Sequence, residues 1–219
     1  MSRSIQFVPK EFYHIYNRGT EKRDIFLSIA DYERFLTLLY ICNGVEAVDL
    51  KLQGRTLYEI KENKQRGKLV DICAYCLMPN HFHILVRESS DGGISKFIQK
   101  LSTAYTMYFN KKNNRTGSLF QGKFKASHID DDEYLSYLIA YIHLNPVKLI
   151  DSNWRTNGIK DKKKTEKFLN QYVYSSYLDY LKKERIQNVI INKEAFPEYF
   201  ETPKDFKSNM SYWLNYNTL

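Results

Sequence analysis

The sharpest chemical feature of this 219-residue sequence is Pro79-Asn80-His81-Phe82-His83-Ile84-Leu85-Val86. Only five histidines occur in the chain, and this pair directly follows a tight turn. On a β-strand the spacing sends both imidazoles to one face and Phe82 to the other. Two adjacent imidazoles supply part of a ligand set for a divalent cation. The alternative is a pair of half-buried, hydrogen-bonded rings, and the residues alone leave both readings open. Two nitrogens do not complete a metal site. A third ligand has to come from elsewhere, with positions left for water or substrate. Tyr134, Tyr137 and Tyr141 recur at helical spacing, and Asn145 lies one turn beyond Tyr141 on the same stripe. Such a helix presents a phenol, a possible covalent nucleophile, beside a carboxamide. The same spacing suits an amphipathic core helix, which is the role expected of Tyr134 and Tyr137.

The elements that must carry these groups follow from periodicity and punctuation. Strand composition covers residues 11–17, Lys68 to Leu77 and His81 to Arg87, with Met78-Pro79-Asn80 linking the last two. Ser118 to Ile129 reads as a further strand. Helices are expected from Asp31, as cap, to about Cys42, and from Ile94 to about Asn110. A third begins at the acidic run Asp130-Asp131-Asp132 and ends near Asn145, because Pro146 cannot continue it. Residues 43–68 are polar, punctuated by Gly44, Gly54 and Gly67, and read as an insertion of hairpin or loop type. The order strand, helix, strand, strand, helix, strand, helix predicts an α+β fold, an antiparallel sheet with helices packed on one face. Residues 1–150 form the catalytic domain in this reading. Residues 151–219 form a basic and then aromatic C-terminal tail of one or two short helices.

Bulk composition narrows the partners. Hydrophobic residues make up 43% and charged residues 26%, a globular balance. A net charge of +8 favours polyanionic partners, and 18 Tyr and 13 Phe suit a wet, aromatic binding surface. No apolar run approaches the roughly 20 residues needed to span a bilayer, so no membrane partner is expected. Three cysteines and no signal peptide point to a reducing, cytoplasmic setting. Cys73 and Cys76 form a CxxC without a second pair, so they are read as two buried residues rather than a zinc site.

The segment Tyr75-Cys76-Leu77-Met78-Pro79-Asn80-His81-Phe82-His83-Ile84-Leu85-Val86 resembles the His-hydrophobic-His strand of the single-strand DNA transposases of the insertion-sequence-200 type, and most of all their branch associated with repetitive extragenic palindromes. Tyr13-His14-Ile15-Tyr16-Asn17-Arg18-Gly19 is similar to the opening strand of that family. Gly117-Ser118-Leu119-Phe120-Gln121-Gly122-Lys123-Phe124-Lys125 is similar to its middle strand, and Tyr141-Ile142-His143-Leu144-Asn145-Pro146-Val147-Lys148 to its nucleophile helix. The resemblance covers about residues 10–150, with a faint match at Tyr174-Ser175-Ser176-Tyr177. It implies a ferredoxin-like fold and an enzyme that nicks and rejoins single-stranded DNA near hairpins through a 5′-phosphotyrosine. By the resemblance, Tyr141 is the nucleophile and His81 and His83 hold Mg²⁺ or Mn²⁺. Asn145 stands where insertion-sequence relatives carry a glutamine as third ligand, one methylene longer. Imidazole ligation suits Mn²⁺ better than Mg²⁺. Arg18, Arg115, Lys123, Lys125 and Lys148 are candidate contacts to the DNA backbone. The family leaves monomer and homodimer open, since its nucleophile helix can be exchanged between two copies. The alternatives are a catalytically inactive DNA-hairpin-binding protein and a hydrolase of small phosphoesters.

Overall fold

The computed structural model describes residues 6–47, 56–61, 67–196 and 199–215. Four strands form one antiparallel sheet: β1 (Phe12–Arg18), β2 (Val70–Met78), β3 (His81–Glu88) and β4 (Lys125–Ile129), in the spatial order β2-β3-β1-β4. Helix α1 (Ile29–Ile41) lies between β1 and β2, and α2 (Leu57–Ile60) falls inside the insertion. Helix α3 (Gly93–Lys112) joins β3 to β4, and α4 (Asp132–Leu144) follows β4. This is the ferredoxin-like arrangement, with α4 added.

The helices do not share one face, which corrects the sequence expectation. Phe82 of β3 meets Phe35 of α1 at 5.1 Å between ring centroids, whereas its neighbour His83 meets Tyr141 of α4 at 5.4 Å. Successive strand residues point to opposite faces. Hence α1 lies on one side, with α3 packed beside it through Phe35 and Tyr105, and α4 lies on the other. The reason is visible in β2, where all nine residues are buried. A strand buried on both faces needs cover on both.

Several boundaries moved for local reasons. Helix α1 starts at Ser28, whose backbone and hydroxyl pair with the Asp31 carboxylate in a capping box, so Asp31 is the third helical residue rather than the cap. The strand expected over Ser118 to Ile129 is regular only from Lys125. Gly117 and Gly122 adopt positive φ, which interrupts an extended chain, while Leu119 and Phe120 turn inward. Asp131 caps α4 by accepting from the Tyr134 amide at 2.6 Å, and α4 ends at Leu144 ahead of Pro146. Cys73 sits in a β-bulge between Ile72 and Ala74, and it and Cys76 are both fully buried. The insertion holds the short helix α2, with a Thr56–Glu59 capping box, where only hairpin or loop was expected. Its ends are clamped by two hydrogen bonds between the Asn43 side chain and the Val70 backbone. The rest of the insertion, 48–55 and 62–66 with Gly54, lies outside the described residues.

The tail holds more helix than expected: α5 (Trp154–Asn157), α6 (Lys162–Leu169), α7 (Tyr177–Tyr180) and α8 (Pro203–Asn215). Part of it covers β2, an edge strand whose outer backbone groups would otherwise be unpaired. The Leu77 amide donates to the Tyr174 carbonyl, the Ser176 amide to the Tyr75 carbonyl, and the Tyr75 amide to Ser176 Oγ. The Tyr180 hydroxyl donates to the Cys73 carbonyl. The faint tail match therefore covers a sheet edge. Among the described residues no helix is long and apolar enough to cross a membrane.

Candidate active site

The register of β1 against β3 assembles the site. Tyr16 is opposite His83 and Arg18 opposite His81, while β4 places Lys125 opposite Tyr16. Directly opposed residues share a face, so His14, Tyr16, Arg18, His81, His83 and Lys125 all lie on the side covered by α4. His14 was not singled out from the sequence. Its only signal was alternation with Tyr16 along a strand, and strand register was needed to place it beside His83.

Hydrogen bonds order the imidazoles. His81 Nδ1 lies 2.6 Å from Asn80 Oδ1, and Asn80 Nδ2 donates to the Lys22 carbonyl. An amide oxygen only accepts, so His81 Nδ1 carries the proton and Nε2 keeps its lone pair. His83 Nδ1 and His14 Nε2 are 2.8 Å apart and share one proton. With that proton on His83 Nδ1, His83 Nε2 is free as well. Burial lowers the His14 and His81 pKa values to about 4, with the charges of Lys148 and Arg18 adding at His81. Burial holds His83 well below the usual histidine range, helped by His14, His81, Lys148 and Arg155. All three rings are neutral at neutral pH, the state in which imidazole ligates metals.

Tyr141 closes the site from α4. Its half-buried ring meets His83 edge-on, with centroids 5.4 Å apart, and meets His14 at 6.0 Å. These groups converge within one chain. Tyr137 is half-buried between Tyr141 and Trp213, as a packing role requires, but Tyr134 is 40% exposed and does not join the core. Asn145 is fully buried at the C-terminal end of α4. Its Nδ2 donates to the Tyr141 carbonyl at 3.1 Å, and its Oδ1 is buried without a hydrogen-bond partner. An orphaned buried oxygen costs free energy and is the kind of acceptor that a cation satisfies. Among the described residues no group of three His, Cys, Asp or Glu side chains could hold a metal. Imidazole nitrogen and amide oxygen are both ligand types that a divalent cation of borderline softness accepts.

The candidate DNA contacts divide. Arg18 is opposite His81 and Lys148 acts on His81 and His83 through its charge, while Lys125 is one strand further away, opposite Tyr16. Arg18 also pairs with Gln121. Lys123 is exposed on the loop before β4. Arg115 is placed apart from the site, on the loop after α3, where it bonds the Ser118 carbonyl and Asn110 Oδ1 and lies over the Phe109 ring. Sequence reading missed Arg155, whose guanidinium carbon sits 4.3 Å from the Tyr141 ring centroid.

Comparison with known proteins bears on this geometry. Residues 46–145 match the family described as transposase, IS200 like, a stretch that includes His81, His83, Tyr141 and Asn145. The resemblance read from the motifs stands. No curated protein matches the chain. A solved REP-associated tyrosine transposase bound to a REP hairpin aligns with TM-score 0.53 and 14% identity, over 85% of this chain and 90% of that one. It shares the fold. A crystal structure of a putative transposase from Deinococcus radiodurans aligns with TM-score 0.29 and 16% identity, over 65% of this chain and 95% of that one.

Proposed function

We propose, from the similarity of residues 46–145 to the IS200-like transposases, that this chain nicks and rejoins single-stranded DNA, with Tyr141 as nucleophile. The observation that carries the reading is the contact of the Tyr141 ring with His83, 5.4 Å between centroids, across two elements far apart in sequence. The phenol oxygen of Tyr141 forms a bond to phosphorus as the bond from phosphorus to the 3′-oxygen breaks. The phenol loses a proton and the departing 3′-oxygen gains one, leaving a 5′-phosphotyrosine and a 3′-hydroxyl. One ester replaces another, so the same steps run backwards to rejoin a strand. His81, His83 and Asn145 would hold Mg²⁺ or Mn²⁺, which supplies Lewis-acid polarisation of the phosphate. Asn80 orients His81 and His14 orients His83, each through Nδ1. Arg18, Lys125 and Lys148 line the phosphate path, with Lys123 at its rim. Arg115 braces its own loop and is the weakest of the five candidates. The preferred partner is DNA that folds into a hairpin, by likeness to the hairpin-bound transposase sharing this fold.

The test is a covalent adduct. The protein is incubated with single-stranded hairpin oligonucleotides and Mn²⁺, and protein–DNA conjugates are resolved on a denaturing gel. Tyr141→Phe abolishes the conjugate. Unchanged cleavage in that variant removes Tyr141 from the mechanism. Hairpin binding that ignores EDTA, with no conjugate from the unaltered protein, supports a binding module instead.

A further inference from the structure

Two arginines of the tail carry their guanidinium groups against the main body, and their surroundings differ. Arg185 is satisfied on every side. It pairs with both oxygens of Asp179 and donates to the Tyr75 hydroxyl and to the carbonyls of Val173 and Ser175. Arg155 has no such set. Its Nε and Nη2 are buried and have no hydrogen-bond partner. No described carboxylate pairs with it. Its guanidinium lies on the faces of Tyr141 and Trp154, at 4.3 and 5.3 Å from their centroids.

The neighbours of Arg155 deepen the imbalance. Lys148 is close enough for the two positive charges to act on one another, and it too has no carboxylate partner among the described residues. The nearby imidazoles carry no negative charge to balance either cation. A guanidinium with two buried, unpartnered nitrogens, near a second cation, is an anion site in all but the anion. The planar fork of arginine matches two oxygens of one phosphate.

We infer that Arg155, with Lys148 beside it, binds the phosphate group of a single-stranded nucleic acid at Tyr141. The position on the tyrosine ring identifies this phosphate as the one under attack, and then as the phosphotyrosine. Arg155 lies beyond residues 46–145, so this contact is supplied by the tail and not by the segment similar to the family. The role in strand cleavage rests on Tyr141 being the nucleophile; the anion site does not.

The experiment separates those two dependences. The full chain, labelled with nitrogen-15 and held in EDTA, is titrated with inorganic phosphate while arginine Nε–H resonances are followed. The Arg155 resonance is identified by its disappearance in Arg155→Lys. It shifts saturably, while that of Arg185, already satisfied internally, stays put. Phosphate affinity falls about tenfold or more in Arg155→Gln and also in Arg155→Lys, which keeps the charge but loses the fork. An unmoved Arg155 resonance, or undiminished affinity in both variants, overturns the site. In a parallel single-turnover assay with a hairpin oligonucleotide and Mn²⁺, Arg155→Lys forms the covalent conjugate about tenfold more slowly. An undiminished rate overturns the catalytic role. Phosphate binding at Arg155 with no conjugate from the unaltered protein supports the site while sinking the nucleophile reading.

Discussion

Replacing Ser176 by alanine tests how the tail is fastened to the sheet. Ser176 is fully buried and its hydroxyl joins three elements. Oγ accepts from the Tyr75 amide on β2 at 2.9 Å and shares a hydrogen bond of 2.7 Å with His143 Nε2 on α4. Removing the hydroxyl orphans two buried polar groups, the Tyr75 amide and His143 Nε2. At about 1–3 kcal/mol for each buried group left unpaired, Ser176→Ala destabilises the protein by roughly 2–5 kcal/mol. The two losses share one atom, so they need not add in full. Against a total stability on the order of 5–15 kcal/mol this is a large effect. It is read as a lower urea midpoint with an unchanged slope. Ser89→Ala is the control, since the Ser89 hydroxyl also bonds a partner, Asp71 at 3.0 Å, but from an exposed position. Its cost stays within about 1 kcal/mol. A Ser176→Ala loss no larger than that of the control refutes the view that this hydroxyl ties β2, α4 and the tail together.

Phe82 fills the core face opposite the imidazoles and is fully buried against Phe35 and Phe120, so Phe82→Ala costs about 3–5 kcal/mol in a denaturant titration; a loss under about 1 kcal/mol contradicts the packing described. Mn²⁺ raises the melting temperature of the unaltered protein and not of the His81→Ala, His83→Ala double variant; equal shifts in both place the ion elsewhere. Burial works to raise the Asp31 pKa, but hydrogen bonds from Lys112, the Leu27 amide and Tyr108 outweigh it and hold the value below the ordinary 3.8. A carboxylate depressed on folding stabilises fully above its unfolded value, and that stability is lost as pH falls through the folded value. The stability gap between the unaltered protein and Asp31→Asn is therefore constant from pH 7 to about 5 and narrows below 3.8; a gap that widens on acidification contradicts the sign.

The sequence by itself determined the parts that depend on local spacing. His81 and His83 had to share a strand face because side chains alternate with period two. Tyr141 and Asn145 had to share a helix stripe, and Pro146 had to end that helix. The strand and helix order was enough for the antiparallel α+β architecture. What local pattern does not encode is which distant residues become neighbours. Strand register, a property of two segments and not one, brought His14 to His83 and Lys125 into line with Tyr16. The helices fell on both faces of the sheet because β2 is buried throughout, which its own run of apolar residues did not distinguish from a one-sided strand. Arg155 read as one more charge in a basic tail. Only the path of the chain after α4 set it on the Tyr141 ring, since a contact across folded elements is decided by where packing leaves space, not by spacing along the backbone.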